Sequence, residues 1–142
     1  MKIRDVARFL SSLPEDIIET EDGRDFVQPP GKSVADALAD IFRKLGLEVY
    51  YGPAPRGDFM WELGVRKGRH AFGAVLNLVE DYVLSLDNLS WTDGLFGRPK
   101  FYIMFLNALS RELEGDPRFS EIRWFTRRDA DSGVRGAATP VG

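Results

Sequence analysis

Between Phe59 and Leu86, apolar and polar residues alternate in three successive runs, separated by very short turns. Phe59, Trp61, Leu63 and Val65 alternate with Met60, Glu62, Gly64 and Arg66. Lys67-Gly68 follows as a turn. Phe72, Ala74, Leu76 and Leu78 then form one face of a second run, Glu80-Asp81 turns again, and Tyr82, Leu84 and Leu86 continue. A period of two puts each apolar set on one face of a strand. Turns this short leave room only for antiparallel neighbours. The ribbon therefore has one apolar face that helices must cover, which is the α+β arrangement.

The flanking segments supply the cover. In Ser33 to Gly46, Val34, Leu38, Ile41 and Leu45 lie on one helical stripe. Ser33 is placed as N-cap with Asp36 three residues on, and Gly46 suits the left-handed position past the end. Lys100 to Leu113 reads as another helix, with Pro99 in its first turn and Gly115-Asp116-Pro117 ending it. Lys2 to Leu13 reads as a third, because Ile3, Val6, Leu10 and Leu13 recur at helical spacing before Pro14. Asp22-Gly23, between the β-prone runs 17–20 and 25–28, predicts a hairpin with a two-residue type I′ turn. Leu47 to Tyr51 is a strand, 52–57 a loop, and Ile122 to Thr126 a last strand. The expectation is an α+β fold: an antiparallel β-meander sheet with three helices packed mainly on one face. It occupies 1–128 as one domain, and 129–142, small and polar with Gly and Pro, forms a flexible tail.

Composition narrows the chemistry. With no cysteine and one histidine in 142 residues, the chain cannot build disulfides, thiolate nucleophiles, zinc fingers, iron–sulfur clusters or a multi-histidine metal site by itself. Net charge is −3, a poor balance for a nucleic-acid binder. Charges recur through Met1 to Arg8, so no signal peptide is expected, and no apolar run approaches the roughly 18 residues of a membrane span. A cytoplasmic location is the expectation.

Each candidate for chemistry is incomplete. His70 sits among Arg66, Lys67 and Arg69 but has no nucleophile motif beside it, and it reads as a strand-end histidine. Glu15, Asp16, Glu19, Glu21, Asp22 and Asp25 lack the spacing of a calcium loop, and on a hairpin they alternate between faces. They read as a solvated acidic surface open to a basic partner. Gly31-Lys32-Ser33 precedes a helix but lacks the rest of a phosphate-binding loop. Arg123, Arg127 and Arg128 flank Trp124 and Phe125, of which alternation turns only one inward. A second acidic group, Glu80, Asp81, Asp87 and Asp93, lies near Asn88 and Trp91, and tryptophan is frequent at binding hot spots.

Ser33-Val34-Ala35-Asp36-Ala37-Leu38, Leu45-Gly46-Leu47-Glu48-Val49 and Met60-Trp61-Glu62-Leu63 resemble the helix-then-meander pattern of small bacterial immunity proteins, which neutralise toxins. The resemblance spans roughly 33–87. It implies a cytosolic protein whose partner is a basic toxin domain. It carries over no binding residue, because such residues build a fold and folds host many functions.

The reading that follows is a non-catalytic protein-binding domain, an immunity or inhibitor protein, contacting its partner through Asp81, Asp87, Asn88, Trp91 and Asp93. No catalytic residue, metal or cofactor is expected, nor nucleic acid or membrane as partner, and the chain is a monomer or homodimer. The alternatives are a small-ligand domain with a pocket lined by Trp61, Tyr82 and Tyr102, and a small hydrolase working with paired carboxylates.

Overall fold

The computed structural model describes residues 2–90 and 99–142. Eight strands and two helices follow one another as β1 (Val6–Ser11), β2 (Ile18–Glu19), β3 (Phe26–Gln28), α1 (Lys32–Lys44), β4 (Glu48–Arg56), β5 (Met60–Lys67), β6 (His70–Leu78), β7 (Tyr82–Asn88), α2 (Lys100–Gly115) and β8 (Phe119–Phe125). Six strands form one sheet in the order β4-β5-β6-β7-β1-β8, with every pairing antiparallel. β2 and β3 pair separately.

The meander from β5 to β7 follows the alternation. Trp61 pairs with Leu76 and Leu76 with Leu84, so the apolar sets stack on one face. Both helices cover that face. Val34, Leu38, Ile41 and Phe42 of α1 and Tyr102, Phe105, Leu106, Leu109 and Leu113 of α2 are buried against it. Phe72 lies between them, its ring stacked on Phe105 at 4.4 Å. α1 ends in a paired cap: Gly46, at φ +83°, donates to the Arg43 carbonyl at 2.9 Å, and Leu47 donates to that of Phe42 at 3.1 Å. A left-handed residue is needed there, which explains the glycine.

The α+β class stands, but there are two helices rather than three. Residues 6–11, expected within a helix, form a strand in the interior of the sheet between β7 and β8. Its core residues are Ala7 and Phe9, both fully buried, whereas Leu10 is about half exposed at 48%. Val6 is buried as well, at 3%, on the opposite face of the strand, so the exposure of Leu10 rather than of Val6 is what departs from the 3.6 spacing of Ile3, Val6 and Leu10. Phe9 stacks on Tyr82 and meets Phe119 edge-on.

Three smaller expectations are also corrected. β4 continues through the expected loop at 52–57, pairing Ala54 with Glu62 and Arg56 with Met60. Pro53 and Pro55 are tolerated because β4 is an edge strand. Gly52, at φ +78°, is required: a Cβ there would collide with the Glu62 carbonyl. In the hairpin, Glu19 pairs with Phe26, so 20–25 form the connection. Gly23 donates to the Thr20 carbonyl and Thr20 to that of Asp25, and among non-glycine residues of the hairpin only Asp16 has positive φ. That excludes a type I′ turn on Asp22-Gly23, which needs positive φ at both. Finally, the N-cap of α1 is Gly31, two residues before the expected Ser33. The Ser33 hydroxyl donates to the Asp16 carboxylate instead of capping.

Residues 129–142, expected to be a tail, run back along the outer edge. Ala137 bridges Trp124, Arg4 donates to the Pro140 carbonyl, and Val141 bridges Ile3.

The strand assignment of β1 is testable by unfolding in guanidinium. Phe9→Ala is expected to cost about 3–5 kcal/mol, as for a large buried aromatic. Leu10→Ala is expected to cost less than about 0.5 kcal/mol, as for an exposed position. Equal losses at the two sites would contradict a strand.

Candidate functional site

Of the expected contact residues, the three that are described, Asp81, Asp87 and Asn88, are not gathered into one site. Asp81 and Asp87 share the uncovered face of the sheet but stand at opposite ends of β7, about 20 Å apart at roughly 3.3 Å per residue. Each is held by an arginine from another part of the chain. Arg8 of β1 clasps Asp81 with both Nε and Nη2, the shortest distance being 2.6 Å, and donates through Nη1 to the Ala130 carbonyl at 3.3 Å. Arg127 reaches Asp87 at 2.6 Å and the Leu86 carbonyl at 2.6 Å. Asn88 points to the other face, where its Oδ1 accepts from the Ser90 backbone at 3.1 Å. Trp91 and Asp93 lie outside the described residues. Asp81 and Asp87 thus serve to tie distant segments together.

The aromatic trio expected to line a pocket is core. Trp61, Tyr82 and Tyr102 are each 4% exposed. The Trp61 indole donates to the Pro30 carbonyl at 3.0 Å. Tyr102 sits in a network that sequence reading did not foresee: its hydroxyl is 2.8 Å from the Asp5 carboxylate and 3.0 Å from the Leu86 carbonyl, and Arg127 approaches the other oxygen of Asp5 at 3.7 Å. The Tyr82 hydroxyl is buried without a partner, facing the charges of Glu15 and Asp16.

His70 opens β6 opposite Lys67 and stacks on Phe101 at 3.8 Å between ring centroids. Among the described residues no hydroxyl or carboxylate hydrogen-bonds to it, and its buried Nδ1 has no partner there. Among the described residues no three histidine or acidic side chains converge as a metal site. No described helix is long and apolar enough to cross a membrane.

What the structure does assemble is a promontory built from the β2–β3 hairpin and the β4–β5 turn. Phe26 meets Phe59 edge-on at 5.5 Å, joining the two loops. On these two loops Ile17, Ile18, Val27 and Phe59 remain exposed, Val27 by 69% and on the face of β3 opposite Phe26. Acids surround them. Residues 15–25 hold six acidic side chains against one basic, Arg24. Asp22 is committed to the turn, accepting from the Thr20 hydroxyl at 2.7 Å and the Arg24 backbone at 3.1 Å. Asp58, from the β4–β5 turn, faces Asp25, whose negative charge pushes the Asp58 carboxyl above its usual range. The hairpin acids were visible in the sequence. Their meeting with Phe59 and Asp58 was not, because it joins segments some thirty residues apart through one ring contact.

No family model, curated protein or solved structure matches the chain.

The two buried tyrosines make contrasting predictions. Burial raises both hydroxyls, Tyr82 to about 12 from 10.0 and Tyr102 further. The folded state holds these protons more tightly than the unfolded chain, so the corresponding stability is complete below pH 10 and declines as pH rises toward 12. Tyr82→Phe is expected to leave neutral-pH stability unchanged or higher, since an unpaired hydroxyl is removed, and to flatten the alkaline decline. Tyr102→Phe, which strips a donor from Asp5 and Leu86, is expected to cost about 1–2 kcal/mol at neutral pH. Urea titrations of both variants across pH check this.

Proposed function

We propose that the chain acts without catalysis, as a protein-binding domain that docks a basic partner on the β2–β3 promontory, in the manner of an inhibitor or immunity protein. One observation carries the reading: four exposed apolar side chains, Ile17, Ile18, Val27 and Phe59, surrounded by acids. An apolar centre with a charged rim is the anatomy of a protein interface. Exposed apolar side chains held on one hairpin and the turn beside it otherwise carry a solubility cost. The facing carboxylates of Asp25 and Asp58 repel, and a lysine or arginine placed between them relieves that repulsion. A negative rim also steers a positive partner during encounter. Asp81 and Asp87, already paired with arginines, contribute less to such a surface.

The test is capture from the native host on immobilised chain, compared with a Glu19→Lys, Glu21→Lys, Asp25→Lys triple variant whose thermal unfolding is first matched to the parent. The expected result is a basic protein retained by the parent and lost by the variant, with an association rate that falls as salt is raised. Retention of the same protein by both, or the absence of any protein specific to the parent, contradicts the proposal.

A further inference from the structure

A groove of about 290 Å³ opens between the C-terminal end of α1, the β5–β6 turn and one face of α2. Leu47, Phe72 and Phe105 form its buried floor. Phe101 and Met104 of α2 form its wall, and both stay about half exposed, at 48% and 56%. Among the described residues two polar side chains line it, Lys67 and His70, and both are basic.

Three features distinguish this groove. Its lining is apolar apart from cationic or proton-accepting groups, whereas the clefts at Arg8, Asp81, Glu121 and Arg123 and at Lys44, Glu112, Asp116 and Arg118 mix charges of both signs that pair internally. Lys67 joins no ion pair among the described residues, while neighbouring Arg66 is engaged by Glu48 at 3.0 Å. The Lys67 ammonium folds back toward Gly46, where a Cβ would stand 3.5 Å from it, so the charge lies over the groove rim. The buried Nδ1 of His70 has no partner among the described residues, and the ring is stacked on Phe101.

We propose that this groove is a binding site for a small apolar monocarboxylate, an aliphatic or aryl acid whose body lies on Phe72, Phe101 and Phe105 and whose carboxylate meets Lys67. The size sits at the lower end for small-molecule sites, about 300–1,000 Å³, which restricts the ligand to one short chain or ring system. A single lysine is a point charge that matches one carboxylate. A phosphate would call for the multiple donors that this rim lacks. The site is separate from the hairpin promontory and does not depend on it.

The probes are octanoate, octylamine and octanol, titrated into the full chain and followed by calorimetry and by methyl NMR shifts of Leu45, Leu47 and Met104. Octanoate is expected to bind about tenfold or more tightly than octylammonium, the reversal of one charge opposite Lys67. Lys67→Met, an exposed substitution, is expected to weaken octanoate about three- to fivefold and leave octanol unchanged. Ala108→Phe, which fills the groove, is expected to abolish both. Equal binding of octanoate and octylammonium, an unchanged octanoate affinity in Lys67→Met, shifts centred elsewhere, or no binding at millimolar ligand each overturns the proposal. So does a dimer in sedimentation that Ala108→Phe converts to monomer, which would make the groove a contact between copies of the chain.

Discussion

The whole sheet depends on β1 lying between β7 and β8. Its six residues supply the pairing that joins the meander to the last strand, and its side chains work on both faces. Phe9 and Ala7 close the core beneath Tyr82 and Trp124. On the opposite face Arg8 fastens Asp81 and the backbone at Ala130. Just before the strand, Asp5 receives Tyr102 from α2 and Arg127 from beyond β8. A central strand with partners on both sides buries its apolar face and satisfies its backbone together, which outweighs the modest helical preference of the same residues.

That frame explains why the acids on β7 are poor recognition groups. A carboxylate clasped by arginine has its charge largely answered, and at the part-buried Arg8–Asp81 pair breaking the contact also leaves an ion poorly solvated. The hairpin acids differ. They stand on a two-stranded ribbon outside the main sheet, anchored by Gly31 donating to the Glu15 carbonyl and by Gln28 donating to that of Asp16. Charge and apolar surface are displayed together there, with rigid attachment below.

The meander was legible because its alternation is regular and its turns leave no room for another topology. α1 was legible to within two residues through its stripe and Gly46. β1 was not, because Ile3, Val6, Leu10 and Leu13 mimic a helix, and only long-range pairing with Val83 and Arg123 reveals that Phe9 is the buried residue. β4 was hidden by Pro53 and Pro55, which an edge position permits. The site was less legible still. Arg8 and Asp81 are 73 residues apart, and Arg127 and Asp87 are 40 apart. Nothing local in the sequence records such pairings, and the contact of Phe26 with Phe59 is of the same kind.

Amide hydrogen exchange on the chain, alone and saturated with a protein it retains, tests most directly where recognition occurs. Slowed exchange confined to residues 17–28 and 56–60 is the predicted outcome. Slowing centred instead on the ends of β7, with the hairpin unchanged, would contradict it.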